Sequence, residues 1–342
     1  MERMRALLYP DFDRIENAIV PEPPTPGPDE VTVAVAACGI CGSELEGFKT
    51  RSPRRTPPLV MGHEFCGVIE RVGADVRGWS PGARVVCNAL VPCGNCARCA
   101  RGDAHLCAKR QIFGMNRQGA FAERVNVPLR CLLPWPANLT AEEACLAEPL
   151  GNGVHVARLT EHLPCEWALV IGAGPIGLFC QQALQVARNA KVIVADFSEE
   201  RLATARRLGA ARTIRAGVED PAVVSRSLTG GEGVDVAVDA VGAATTKRAA
   251  IDAVRPGGAA VWIGLHENPM TFDSFNVTLP EKKVFGSYAA KLDDLKQALE
   301  WMRSGKVDAK RWTTRLPLVE AEQAFRRALA AKGTDIKMIV TP

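Results

Sequence analysis

The densest chemistry in the sequence lies in Cys93-Gly94-Asn95-Cys96-Ala97-Arg98-Cys99, followed by Cys107. A C-x2-C-x2-C-x7-C run can surround one ion tetrahedrally with four thiolates, the closed geometry of a structural zinc. A bacterial iron–sulfur run would place its fourth cysteine after three residues and follow it with proline. Here the gap is seven and Ala108 follows. Four sulfurs already fill the shell, so His105 reads as a loop residue. A second cluster lies upstream, where Cys38-Gly39-Ile40-Cys41-Gly42-Ser43-Glu44 is followed by Gly62-His63-Glu64. Zinc accepts S, N and O donors, and a catalytic site keeps one position open for water or substrate. Cys41, His63 and a carboxylate would make such an open site.

A third constellation is Gly172-Ala173-Gly174-Pro175-Ile176-Gly177, directly after the apolar run Trp167-Ala168-Leu169-Val170-Ile171. The run suits a strand buried on both faces, and the glycines open a helix through Arg188. Backbone N–H groups at the positive end of that helix can approach a pyrophosphate. The next strand, Lys191 to Ala195, ends at Asp196, whose carboxylate would accept from an adenosine ribose 2′-OH and repel a 2′-phosphate. NAD is therefore expected over NADP, although Arg201 and Arg206 lie close enough to weaken the preference.

The elements that must position these residues fall into two compositional regions. At 342 residues the chain exceeds a comfortable single core, so two domains are expected. Residues 1 to 35 read as strand, loop, strand, with prolines at 21, 23, 24, 26 and 28 breaking the middle and Val31 to Val35 alternating. Gly67 to Gly73 is another strand, a turn at Pro81-Gly82 leads into Arg84 to Val86, and residues 119 to 136 return to strand character. This is the pattern of a small antiparallel barrel. Thr140-Ala141-Glu142-Glu143 is a capping box opening a helix that carries Glu148.

Beyond it, strands and helices alternate as in a doubly wound α/β domain: helix Glu199 to Leu208, strand Val234 to Val238, helix 245 to 254 and strand Ala259 to Ile263. Two amphipathic helices follow, 293 to 304 and 319 to 332, and Lys337 to Val340 ends the chain as a strand.

Composition excludes several function classes. The net charge of +4 is mild, and the one basic cluster, Lys49-Thr50-Arg51-Ser52-Pro53-Arg54-Arg55, reads as a solvated loop, so no nucleic-acid partner is expected. Nothing approaches the roughly 18 apolar residues of a membrane span, and residues 1 to 10 do not read as a signal peptide. The expected location is cytoplasmic. Twelve cysteines then argue for metal binding and buried thiols rather than disulfides.

With these pieces placed, the sequence resembles the zinc-dependent medium-chain dehydrogenases over essentially its whole length. The matching motifs are G-I-C-G-S at 39 to 43, G-H-E-x-x-G-x-I at 62 to 69, the four-cysteine lobe and V-I-G-A-G-P-I-G at 170 to 177. Glu148-Pro149-Leu150 and the glutamate after His63 look most like the sorbitol and other polyol dehydrogenases; alcohol dehydrogenases usually carry a cysteine where Glu148 stands. The resemblance implies a GroES-like catalytic domain over residues 1–152 and 287–342, with its structural zinc lobe at 93–107, and a Rossmann NAD-binding domain over 153–286. It implies one catalytic and one structural Zn2+ per chain. Cys41 rather than Cys38 would be the catalytic thiolate, His63 the imidazole ligand, and Glu64 or Glu148 the third protein ligand, with Glu64 ranked ahead.

Ser43 matches the hydroxyl that starts the family's proton relay. Glu44 replaces the usual aspartate and would orient His63. Glu46 stands where many members have a relay histidine, so either Glu46 or water carries the proton onward. The reaction implied is oxidation of a secondary alcohol of a polyol, sugar alcohol or cyclitol to a ketone, with hydride transfer to NAD+. A phosphorylated polyol ranks second, because the basic loop lies between Cys41 and His63. Threonine dehydrogenase ranks third, since Cys87-Asn88-Ala89-Leu90 fills the stretch where that enzyme usually has a histidine. A non-catalytic NAD-binding protein is the reading from another class, and the intact Cys41, Ser43, His63 and Glu148 speak against it. The segment Glu267 to Lys283 corresponds to the family's subunit-contact region, so a homodimer or homotetramer is expected.

Overall fold

A computed structural model describes residues 2–330 and 334–342. The chain divides into two compact units, one of Met1–Glu148, Lys291–Gly305 and Ala309–Pro342, the other of Pro149–Ala290 and Lys306–Asp308.

The first unit is built on the strand Glu30–Gly39, in which Val31, Thr32, Val33, Val35 and Ala37 are buried. It pairs antiparallel with Glu64–Val72, with Arg124–Pro128 and with Lys337–Thr341, so strands from distant parts of the chain meet on it. The register with Glu64–Val72 sets Gly39 opposite Glu64 and Cys38 opposite Phe65. Thus the two halves of the Cys41/His63 cluster leave the same end of one strand pair. Tyr9, Phe65, Phe113, Phe121 and Phe325 are the large buried side chains of this core.

Several local expectations met a different chain. Residues 1 to 35 hold a hairpin, Arg3–Asp11 with Arg14–Pro21, before the Pro-rich loop. The second of these strands is hard to read because one face is exposed, and only alternate residues are covered. The helix Gly42–Lys49 carries two glycines and no apolar stripe, which hid it from a periodicity argument. The capping box is as expected: Thr140 Oγ1 accepts from Glu143 N at 3.3 Å and Glu143 Oε2 accepts from Thr140 N at 2.9 Å. Helix Leu292–Arg303 buries Leu295, Leu299 and Met302. The expected helix 319–332 is a short turn, Leu318–Glu320, followed by Ala321–Ala330; positions 331 and 332 lie outside the described residues.

The second unit is a parallel six-stranded sheet. Its spatial order is Arg212–Arg215, Lys191–Asp196, Trp167–Ile171, Val234–Asp239, Val254–Trp262, Lys283–Gly286. The first strand in sequence lies third, so the order reverses beside it, where doubly wound folds bind ligands. Helices Pro175–Arg188, Glu199–Arg207, Pro221–Leu228 and Ala244–Ala253 connect these strands. The strand Arg212–Arg215 is too short and too polar, and the helix Pro221–Leu228 too short, to stand out from sequence. Among the described residues no helix is long and apolar enough to cross a membrane.

Candidate metal centres and dinucleotide loop

The four-cysteine lobe folds locally. Cys96 precedes the short helix Ala97–Ala100, and Cys107 follows the turn Ala104–Leu106, so two tight turns bring the sulfurs together. Sγ–Sγ separations are 3.5 Å for Cys96–Cys99 and Cys93–Cys107, 3.8 Å for Cys96–Cys107 and 4.0 Å for Cys93–Cys99. Tetrahedral zinc with Zn–S of about 2.3 Å sets its sulfurs roughly 3.8 Å apart, so the donor set fits that ion. No pair is bonded, and all twelve cysteines of the chain are free thiols. The backbone N–H of Cys99, then the Cys99 thiol, pulls the Cys96 thiol down to about 6. Desolvation, then the Cys96 sulfur, pushes Cys99 up to about 11. His105 is buried in its turn and stands outside this donor group.

The second cluster gathers Cys41, His63 and Glu64, whose donor atoms all lie within 4.8 Å of one another. Cys41 sits at the start of helix Gly42–Lys49, while His63 and Glu64 lead into the strand Glu64–Val72. Glu44, fully buried, joins the two segments. Its Oε2 accepts from Cys41 N at 3.0 Å, and its Oε1 accepts from Gly62 N at 2.7 Å and lies 2.9 Å from His63 Nδ1. With Nδ1 turned to this carboxylate, Nε2 is left for an ion, the usual arrangement around a metal-bound imidazole. Burial opposes charge on His63, but the Glu44 carboxylate and the Cys41 sulfur outweigh it and hold its pKa well above the ordinary histidine value. Burial likewise acts to raise Glu44, yet the attraction of His63 leaves its carboxyl below the usual range.

Two further residues complete the cluster, and neither was assigned to it from the sequence. Lys337, completely enclosed, donates from Nζ to Ile40 O at 2.8 Å and forms an ion pair with Glu64 Oε2. The two charges therefore balance each other inside the protein. Burial works against the Lys337 ammonium, but Glu64 and Cys41 more than offset it and raise its pKa. Gly39 is required here: a Cβ would stand 2.2 Å from Glu64 Oε2 and 3.0 Å from Lys337 Cε. The second residue is Arg55. The basic run does not behave as one solvated loop, because Arg51 pairs with Asp13 while Arg55 is 2% exposed and donates to Ser43 Oγ at 3.0 Å. The available signals were a lysine heading a buried apolar strand and an arginine just ahead of Thr56-Pro57-Pro58.

The remaining expected site residues lie as follows. Ser43 Oγ is 3.4 Å from Cys41 Sγ. Glu46 is half-buried on the same helix, three residues on. Glu148 is buried in the first turn of helix Ala147–Leu159 and does not belong to the Cys41 donor group. Cys38 is also outside it; burial, then Glu44, keeps its thiol pKa far above the ordinary value.

In the second unit Gly172 has φ +98°, and its N donates to Ala195 O at 2.7 Å. A Cβ on Gly177 would lie 1.7 Å from Gly172 O, so only glycine lets the helix start so close to the strand. Gly174, by contrast, has nothing within 4 Å of where a Cβ would stand. That open space faces the start of the 14-residue helix Pro175–Arg188, with Pro175 and Ile176 in its first turn. A pyrophosphate fits this place. Asp196 Oδ2 accepts from Ala173 N at 2.7 Å and Oδ1 from Ser198 N at 2.8 Å, so this acid braces the loop and keeps lone pairs for a ribose hydroxyl. Arg201 lies in the next helix, its N–H donated to Ser198 Oγ at 3.3 Å.

Comparison with known proteins agrees with this architecture. Residues 27–137 match the alcohol dehydrogenase GroES-like domain, and residues 175–304 match the zinc-binding dehydrogenase family. An L-idonate 5-dehydrogenase of Vitis vinifera is 33% identical over 92% of this chain and 89% of its own. An L-threonine 3-dehydrogenase of Bacillus velezensis is 34% identical over 93% of each. The crystal structure of galactitol-1-phosphate dehydrogenase from Escherichia coli superposes with a TM-score of 0.91 at 26% identity, covering 99% of this chain and 100% of that one. With its GroES-like unit, its doubly wound nucleotide unit and both donor sets in place, the chain belongs to the zinc-dependent medium-chain dehydrogenase/reductase family of NAD(P)-dependent oxidoreductases.

Proposed function

We propose that this enzyme oxidises a secondary alcohol of a polyol, sugar alcohol or cyclitol to a ketone and reduces NAD+. The observation that carries the reading is the Cys41–His63–Glu64 donor set with the Ser43 hydroxyl 3.4 Å from the Cys41 sulfur. When bound, zinc supplies Lewis acidity to the substrate hydroxyl, and NAD+ supplies the hydride acceptor. The residues that would hold the metal are Cys41, His63 and Glu64, whose donor atoms lie within 4.8 Å of one another. Glu148 is the other carboxylate the family resemblance offers. Glu44 fixes the His63 ring. Ser43 accepts the proton of the substrate hydroxyl, and either Glu46, on the same helix at i+3, or water takes the proton that Ser43 releases. Gly172, Gly174, Pro175, Ile176 and Gly177 would cradle the dinucleotide phosphates, and Asp196 supports NAD over NADP. Twelve free thiols fit a reducing, cytoplasmic setting. Exposed Phe275 and Leu279, within 267–283, support a subunit contact there.

The basic-loop argument for a phosphorylated substrate weakens, since Arg51 is paired with Asp13 and Arg55 with Ser43. The test is the initial rate of NADH or NADPH formation by zinc-loaded enzyme across free polyols, aldonates, cyclitols, polyol phosphates and threonine. A free polyol, sugar acid or cyclitol with NAD+ is expected to give the highest kcat/KM. A clear preference for a polyol phosphate or for threonine would overturn the substrate assignment, and turnover with none would overturn the whole reading.

A further inference from the structure

We infer that Arg55 is a positioning residue that fixes the hydroxyl of Ser43 as a proton acceptor, a role that presupposes the reading of Ser43 as the first acceptor of the substrate proton. Arg55 is 2% exposed, and its stem passes helix Gly42–Lys49 in a slot that a glycine keeps open. A Cβ on Gly47 would stand 2.7 Å from Arg55 Cδ. Nη1 donates to Gly114 O at 2.6 Å and Nη2 donates to Ser43 Oγ at 3.0 Å. Both acceptors are neutral, while the charge of the guanidinium also acts on the buried Glu44 carboxylate and helps to lower its pKa. Enclosing a guanidinium is costly, and Glu44 offsets part of that cost. The second of the two hydrogen bonds, to the hydroxyl of an exposed serine, still calls for a reason.

The reason lies in the valences of one hydroxyl. A serine offers one donor and two acceptor positions. Arg55 fills one acceptor position, and the Ser43 hydrogen is turned toward Cys41 Sγ at 3.4 Å. What remains is one acceptor lone pair on an exposed side chain. The group that reaches it must bring a proton, as an alcohol does and a ketone does not. During turnover Oγ receives the substrate proton and releases its own to Glu46 or to water, so it gains one and loses one. Arg55 has no acceptor and takes no proton. Its positive charge instead favours the oxygen while negative charge passes through it. No electron moves in this exchange.

The test uses zinc-loaded enzyme, NAD+ and the best alcohol from the substrate panel, with Ser43→Ala, Arg55→Met, Arg55→Lys and the double variant Ser43→Ala/Arg55→Met. Arg55→Met is expected to lower kcat by about 10- to 100-fold, the worth of one charged hydrogen bond, with KM moving by less than about threefold. The solvent deuterium effect on kcat should rise. The double variant should be no slower than Ser43→Ala alone, because both changes strike the same hydroxyl. Wild-type turnover by Ser43→Ala would remove the reading of Ser43 itself. Slow Ser43→Ala with unimpaired Arg55→Met, or losses that simply multiply, would leave Arg55 a structural clamp and overturn the inference. Zinc content and the melting transition are read on every variant. Where Arg55→Met loses either, Arg55→Lys decides. It keeps the charge but not the planar fork, so a lowered kcat at full zinc content supports the assignment and an unchanged kcat overturns it.

Discussion

The two cysteine-bearing clusters of this enzyme are built in opposite ways. The lobe at 93 to 107 draws all four donors from one short stretch; three of its cysteines are half-buried, and nothing from a remote part of the chain is needed to complete the set. The Cys41 cluster takes its donors from two segments, its imidazole support from Glu44, its charge balance from Lys337 and a guanidinium from Arg55. Four thiolates satisfy an ion by themselves. A cluster with mixed donors and an open position needs surrounding charges to keep its geometry, and those must be buried to be effective. The contrast is the one expected between a centre that holds the fold and one that performs chemistry, and it can be broken experimentally.

The largest effect should come from removing one sulfur at each place. Cys41→Ala is expected to lower kcat/KM by at least about 10³-fold and to release one zinc per chain, with little change in melting temperature. Cys93→Ala should release the other zinc and lower the melting temperature by about 10 °C or more. Metal analysis beside calorimetry reads both, and equal effects on stability would erase the distinction. Next comes the charge balance. Lys337→Met strands Glu64 inside the protein, and urea unfolding should show a loss of about 3–5 kcal/mol. Adding Glu64→Gln should restore more than half of it, since the uncompensated charge is gone; no recovery would show that packing of the lysine stem was what mattered. The smallest expected effect is Glu44→Gln. It should weaken zinc retention at the Cys41 cluster by about 10- to 100-fold in a chelator titration, with the lobe unaffected.

How much of this could be read in the sequence follows from the same contrast. The lobe was legible in full, because spacing alone states its geometry. So was the glycine loop, where Gly177 must lie against Gly172 O and the acid at 196 closes the second strand. Cys41, His63, Glu64 and the Glu44 that orients the imidazole could be named, but the two buried cations beside them could not. Lys337 reaches Ile40 across 297 positions, and no local pattern records that a lysine in an apolar strand faces inward. Arg55 was hidden by its neighbours, since Lys49, Arg51 and Arg54 make the whole run look solvated. The hairpin strand Arg14–Pro21 and the helix Gly42–Lys49 were missed for a related reason: each is short and held by its surroundings rather than by its own propensity.

The position of Lys337 also sets an order in time. The lobe has all its ligands once residue 107 has been synthesised, and it can close on an ion while the rest of the chain is still being made. The Cys41 cluster has both its segments by residue 64, but the cation that neutralises Glu64 arrives on a strand that starts at residue 337. Until that strand pairs with Gly39 and Cys38, the pocket carries an unbalanced carboxylate. The four-cysteine donor set is therefore complete in the growing chain long before the charges around Glu64 can be balanced.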